Sequence, residues 1–150
     1  MKKIIKSGLS LAFVTLLLAA PVLGQDMAKV MKEMTATYEK AYNSEDAKTL
    51  VAMYTEDGVR TFDDGRNYKG SAELLAGFMA EFEANDLKVK ISMGEITPAG
   101  MDKATSTGTY EVKGTLGTGE KVSYMGKYTN SLVKVNGVWK IAKTAGETIQ

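Results

Sequence analysis

KVSYMGKYTNSLVKVNGVWKIAK, residues 121–143, is a long run of strand-forming residues divided by one dipeptide, Asn136-Gly137. An apolar–polar alternation of period two predicts a strand with one buried face. Asn-Gly between two such runs predicts a two-residue hairpin with a type I′ turn, because both central residues must take positive φ. Upstream the same period continues. ATSTGTYEVKG (104–114) sets Thr105, Thr107, Thr109, Glu111 and Lys113 against small or apolar positions that end in Tyr110 and Val112. LKVKISM (87–93) alternates Leu87, Val89, Ile91 and Met93 with Lys88, Lys90 and Ser92. TPAGMD (97–102) and GTLGTGEK (114–121) supply the turn residues between these strands.

Before Asp86 the period is helical. Met27, Val30, Met31, Met34, Tyr38, Ala41 and Tyr42 form one apolar stripe, with lysine and glutamate opposite. NSED (43–46) provides capping and acidic residues for a short second helix, in which Ala47, Leu50, Val51 and Tyr54 share a face. A third helix follows KGS, with Leu74, Leu75, Phe78, Met79 and Phe82 at spacings of three and four. Helices first and long strands afterwards predict an α+β fold: a cone-shaped, strongly curved antiparallel or mixed sheet wrapped over three N-terminal helices. Gly94, Gly108 and Gly126 inside the strands are suited to such bending. A cone of this kind is either packed with side chains or open as a pocket.

The first 24 residues stand apart. MKKIIKSG is basic, LSLAFVTLLLAA is apolar and small, and PVLG precedes Gln25. These are the parts of a secretory signal peptide with cleavage after Gly24, and the apolar stretch is shorter than the roughly 20 residues of a membrane span. The expected products are a signal peptide, 1–24, and a single exported domain, 25–150, periplasmic or secreted, without stable membrane insertion after cleavage. Of 19 basic side chains three lie in the leader, against 18 acidic ones in the remainder. A domain so near neutrality carries no field that points to nucleic acid. Cysteine is absent, so the domain stands on its hydrophobic core. Histidine is absent too, which removes the usual general base and the commonest zinc ligand. Any catalysis would run on Asp, Glu, Tyr, Lys or Arg, and no metal or cofactor site is expected.

AYNSEDAKTLVAMYTEDGV (41–59), YKGSAELLAGF (68–78) and NSLVKVNGVWKIAKTAGE (130–147) together resemble the nuclear transport factor 2-like superfamily. That superfamily includes ketosteroid isomerases, scytalone dehydratases and SnoaL-like polyketide cyclases, and the likeness spans Met27 to Glu147. It implies the cone fold, and dimerisation through the sheet for many relatives. Counting from the Met-Tyr pair, the isomerase's oxyanion-donor tyrosine falls on Tyr38. Its general-base aspartate falls on Phe62, beside Asp63, and its second oxyanion donor falls near Ser131. The dehydratase histidines have no counterpart here.

The charged stretch YTEDGVRTFDDG (54–65) is predicted to be a helix end, a short strand VRTF and a turn, with its carboxylates mostly at the rim. Its adjacent acidic pairs do not match a calcium loop. Asp63 is the carboxylate nearest the base position. Arg60 is expected either to clamp an anion or to pair with Asp57 or Asp63. Tyr54, Arg60, Phe62, Tyr110, Tyr128, Asn130 and Trp139 are the candidate pocket residues; Tyr124 and the methionines are further lining. Three readings follow. The first is an exported domain binding a small, mostly apolar molecule. The second is an isomerase-, cyclase- or dehydratase-type enzyme with Tyr38 as oxyanion donor and Asp63 as base. The third is a dimeric interaction module with a filled core, paired through the Thr/Lys face of the sheet.

Overall fold

The computed structural model describes residues 22–149, so most of the signal peptide expected over 1–24 lies outside the described residues. Three helices, α1 (Val22–Asn43), α2 (Ala47–Ala52) and α3 (Gly70–Ala84), accompany six strands. The strands are β1 (Tyr54–Phe62), β2 (Asn67–Lys69), β3 (Asp86–Pro98), β4 (Lys103–Thr115), β5 (Lys121–Val135) and β6 (Val138–Thr148). They form one sheet in the order β2-β1-β6-β5-β4-β3, with β1 parallel to β6 and the other pairs antiparallel. The α+β cone is the fold expected from the change of period at Asp86.

Two helix starts have a local chemical cause. The Asp46 carboxylate accepts from the Thr49 amide at 3.0 Å and caps α2. At α3 the cap position is Lys69, and the Glu73 carboxylate reaches back to accept from its amide at 2.8 Å. The β5–β6 turn is the predicted one: Asn136 and Gly137 have φ of 50° and 78°, and Val135 pairs with Val138.

Two expectations are corrected. Tyr54 does not extend the second helix. The Ile141 amide donates to the Met53 carbonyl at 2.8 Å, and Tyr54 itself pairs with Ile141, so the sheet captures the chain one residue after α2. The strand after α2 is therefore longer than VRTF. It runs from Tyr54, and its register on β6 shifts between Tyr54 and Val59, so that TEDG forms an irregular bulge.

The core lies between the concave face of the sheet and the helices. Phe78, Leu50, Leu74 and Leu132 are its largest fully buried side chains. Helix α1 also protects the edge strand β3. The Asn43 side-chain amide exchanges two hydrogen bonds with Val89, at 2.8 and 2.7 Å, and the Glu39 carboxylate accepts from the Ile91 amide at 2.8 Å. Backbone groups that would otherwise lie open on the sheet edge are thus satisfied.

The bend of the sheet is built from reciprocal pairs on β4 and β5. Gly108 lies opposite Tyr128, and Tyr110 opposite Gly126. Each tyrosine lies across the facing glycine: a Cβ on Gly108 would sit 2.6 Å from the Tyr128 hydroxyl, and one on Gly126 would sit 2.1 Å from the Tyr110 ring. The missing side chains let both rings fold down against the backbone and leave the interior of the cone unfilled.

Candidate ligand-binding site

The interior of the cone is a cavity of about 480 Å³. Its walls follow from two periodicities. On α1, Met31, Met34, Tyr38 and Tyr42 come round to the same face at steps of three and four. On the sheet, alternate residues such as Val89, Ile91, Val112 and Leu132 point inward. Apolar and aromatic groups dominate, with a few polar groups among them, the usual make-up of a small-molecule pocket.

A charged seam crosses one side. Arg60 on β1 is 4% exposed, and its Nη1 donates to Glu81 Oε2 of α3 at 3.0 Å. The Tyr42 hydroxyl donates to the other oxygen, Glu81 Oε1. The Arg60 guanidinium lies between two rings, 4.3 Å from the centroid of Phe78 and 4.5 Å from that of Phe62. Its Nε has no hydrogen-bond partner. Arg66 stacks on Phe62 at 4.2 Å and approaches Glu81 at 3.7 Å. Its Nε and backbone amide donate to the two oxygens of Asp64, at 2.8 and 3.0 Å.

These contacts set the ionisation states. Burial alone would raise the Glu81 pKa, but the charge of Arg60, the hydrogen bonds from Tyr42 and Arg60 and the charge of Arg66 hold it below the usual carboxylate value. Burial and the neighbouring Glu81 push the Tyr42 hydroxyl far up, so it stays a protonated donor. Glu81 is therefore an ionised carboxylate, each oxygen of which already accepts one hydrogen bond.

A second polar group lies across the cavity. The Tyr54 hydroxyl is 3.0 Å from Thr144 Oγ1, which donates to Asn130 Oδ1 at 2.8 Å. Burial, then proximity to Tyr38, raises the Tyr54 pKa well above its ordinary value. With its oxygen accepting once, from Thr144, Asn130 retains its NH₂ and one oxygen lone pair for further hydrogen bonds.

The structure brings Tyr38, Arg60, Phe62, Tyr110, Tyr128 and Asn130 to the wall of the one cavity. Tyr54 lies behind that wall, at 4% exposure. Trp139 lies on the β5–β6 hairpin, packed against the core with Lys134 over its ring at 5.6 Å. Asp63 is turned away. Its carboxylate accepts from the Thr148 amide at 3.0 Å and joins Thr107, Lys127 and Glu147 on a shallow groove along the outer sheet face. The partner of Arg60 is Glu81, not Asp57 or Asp63. Sequence reasoning passed over Glu81, Arg66 and the polar role of Tyr42. Glu81 was open to detection, since it follows Phe78 by three positions and so shares the apolar face of α3. Among the described residues no group of three His, Cys, Asp or Glu could hold a metal ion, and no helix is long and apolar enough to cross a membrane.

The family model for the SnoaL-like domain matches residues 28–145. The chain belongs to the SnoaL-like domain family. Solved structures with this SnoaL-like fold include a ketosteroid isomerase-like protein from Erwinia carotovora atroseptica, 23% identical, with a TM-score of 0.75 over 81% of this chain and 95% of that one. A type 2 hexachlorocyclohexane dehydrochlorinase, LinA, is 16% identical, with a TM-score of 0.78 over 85% of this chain and 88% of that one. A putative aromatic ring hydroxylase from Novosphingobium aromaticivorans is 17% identical, with a TM-score of 0.75 over 84% and 91% of the two chains. At these identities the likeness is one of fold. No curated protein matches the chain.

Proposed function

We propose that this SnoaL-like domain is an exported binding protein that takes a small, mostly apolar molecule into its cone. The observation that carries this reading is the cavity of about 480 Å³, lined mainly by methionine, aliphatic and tyrosine side chains. Structural relatives described as an isomerase-like protein, a dehydrochlorinase and an aromatic ring hydroxylase agree with a small organic guest. Export rests on the basic and apolar leader in residues 1–24.

The rival reading, an acid/base enzyme, needs a carboxylate with a free lone pair facing the guest. Glu81 is paired with Arg60 and Tyr42 and its lowered pKa makes it a weak base, Asp64 is likewise lowered in pKa and paired with Arg66, and Asp63 faces outward onto the Thr148 amide. Binding is therefore favoured over turnover.

Fluorescence of N-phenyl-1-naphthylamine, a neutral apolar probe that brightens out of water, tests the reading. The purified protein is expected to bind and brighten it. Met34→Trp, which places a large ring in the cavity from α1, is expected to abolish the signal while leaving the circular dichroism unchanged. An unchanged signal in Met34→Trp would place the probe elsewhere and sink the proposal. Native mass spectrometry of the same sample reports any retained guest and the number of subunits, which decides the dimer expected from the resemblance.

A further inference from the structure

We propose that the guest is an amphipathic acid, its apolar body in the cone and its oxyanion end held by Arg66; this rests on the reading of the cone as a ligand site. Glu81 accepts from Tyr42 and Arg60 and is approached by Arg66. Asp64 accepts from Arg66 through each of its oxygens. Both carboxylates already have their charge offset by an arginine, which weakens their pull on a cationic guest. The arginines differ from them in having donors to spare. Arg60 is the less available of the two: its Nε is unpartnered, but the side chain is buried, packed against Phe62 and Phe78 and paired with Glu81. Arg66 is the more accessible. Its side chain is 38% exposed, it lines the cavity, and it engages Asp64 through Nε and faces Glu81 with Nη1. A guanidinium carries several N–H groups in a planar fork, so Nη2 and part of Nη1 remain for a guest oxyanion, the geometry in which arginine takes carboxylates.

The surroundings favour the same end group. Phe62 holds the guanidinium plane from one side, so the fork does not have to be ordered on binding. Tyr110 and Tyr124 line the same cavity and are influenced by the Arg66 charge, and burial keeps both phenols protonated, hence able to donate. Asn130 keeps its NH₂ for the interior. Donors with free capacity thus stand beside carboxylates whose charge the arginines already offset.

The test is isothermal titration of three probes of one chain length, decanoate, decan-1-ol and decylamine, at low salt and neutral pH. The expected result is decanoate binding about tenfold or more tightly than the other two. In Arg66→Gln decanoate should fall to the affinity of decan-1-ol, with decan-1-ol itself unchanged within about twofold. Arg66→Lys, which keeps the charge without the fork, should retain part of the preference and guards against a Gln variant that fails to fold. Equal binding of decanoate and decan-1-ol, a preference for decylamine, or a decanoate preference that survives Arg66→Gln would each overturn the proposal while leaving the cone a ligand site. If none of the three binds, the reading of the cone fails with it.

Discussion

Arg60 and Arg66 stand six positions apart, flank the same phenylalanine and approach the same glutamate, yet they occupy opposite ends of one seam. The inner end, Phe78–Arg60–Glu81–Tyr42, is buried at the cavity wall. Its charges are answered from within the chain, and two rings pack within 4.5 Å of the guanidinium. The outer end, Phe62–Arg66–Asp64, is half in solvent, with one face of the guanidinium stacked and part of its fork free. The same residue type is thus mainly structural where it is buried and ion-paired and receptive where solvent reaches it. The difference lies in the surroundings: a charge out of water must be paired, whereas one at a rim need not be.

The largest test of that comparison is to unpair the inner end. Glu81→Ala leaves Arg60 buried without a counter-charge and the Tyr42 hydroxyl without an acceptor, and is expected to cost about 3–5 kcal/mol in urea unfolding. Replacing both partners together, Arg60→Met with Glu81→Leu, should recover most of that loss, since the desolvation penalty goes with the charges. A double variant as unstable as Glu81→Ala would mean that the pair contributes more than its mutual neutralisation.

The second test is acid. The folded pKa of Glu81 is depressed, so between that value and the unfolded one the unfolded state binds more protons and stability rises with pH. The contribution is fully present above the unfolded carboxylate value, about 4.5, and is lost as pH falls through the folded one. The unfolding free energy of the wild type should therefore drop on acidification below pH of about 4.5, and the Glu81→Gln profile should be flatter there. Parallel profiles would remove Glu81 as the titrating group.

Tyr42→Phe sharpens the comparison at intermediate size. It deletes one hydrogen bond to an ionised, largely buried carboxylate and is expected to lower stability by about 2 kcal/mol in the same unfolding assay. At the outer end the expected effect is smallest. Arg66→Gln should change stability by less than about 1 kcal/mol, because its pairs with half-exposed Asp64 and with an already neutralised Glu81 compete with water. A loss comparable to that of Glu81→Ala would place Arg66 in the structural group and leave the seam without a receptive end.

Much of the architecture was legible before the structure. The change of period at Asp86, the Asn136-Gly137 turn and the apolar stripe of α1 are local patterns that depend on neighbours within a few positions. Tyr54 was misplaced for the same reason. It continues the stripe of α2, and only its pairing with Ile141, far along the chain, makes it a strand residue. The site divided similarly. Tyrosines at alternate strand positions, together with Tyr38 on the helical stripe, could be assigned to a cone interior from periodicity. The charges could not. Six acidic or basic side chains crowd residues 56–66, and the partner that gives Arg60 its role comes from α3, which nothing in that segment specifies.

By itself, then, the sequence determined the three helices, the order of the four long strands that follow them, most of their inward faces and the kinds of chemistry denied to a chain without histidine or cysteine. All of these follow from composition and from period. It did not determine the short strand β2 or the full extent of β1. Tertiary structure alone decided that the glycines of β4 and β5 lie beneath tyrosines and leave the cone hollow, that Asp63 faces outward, and that Glu81 closes on Arg60 rather than remaining free as a base. The physical reason is range. Periodicity is written between neighbours, whereas burial and charge pairing depend on which distant segments the fold brings within a few ångström.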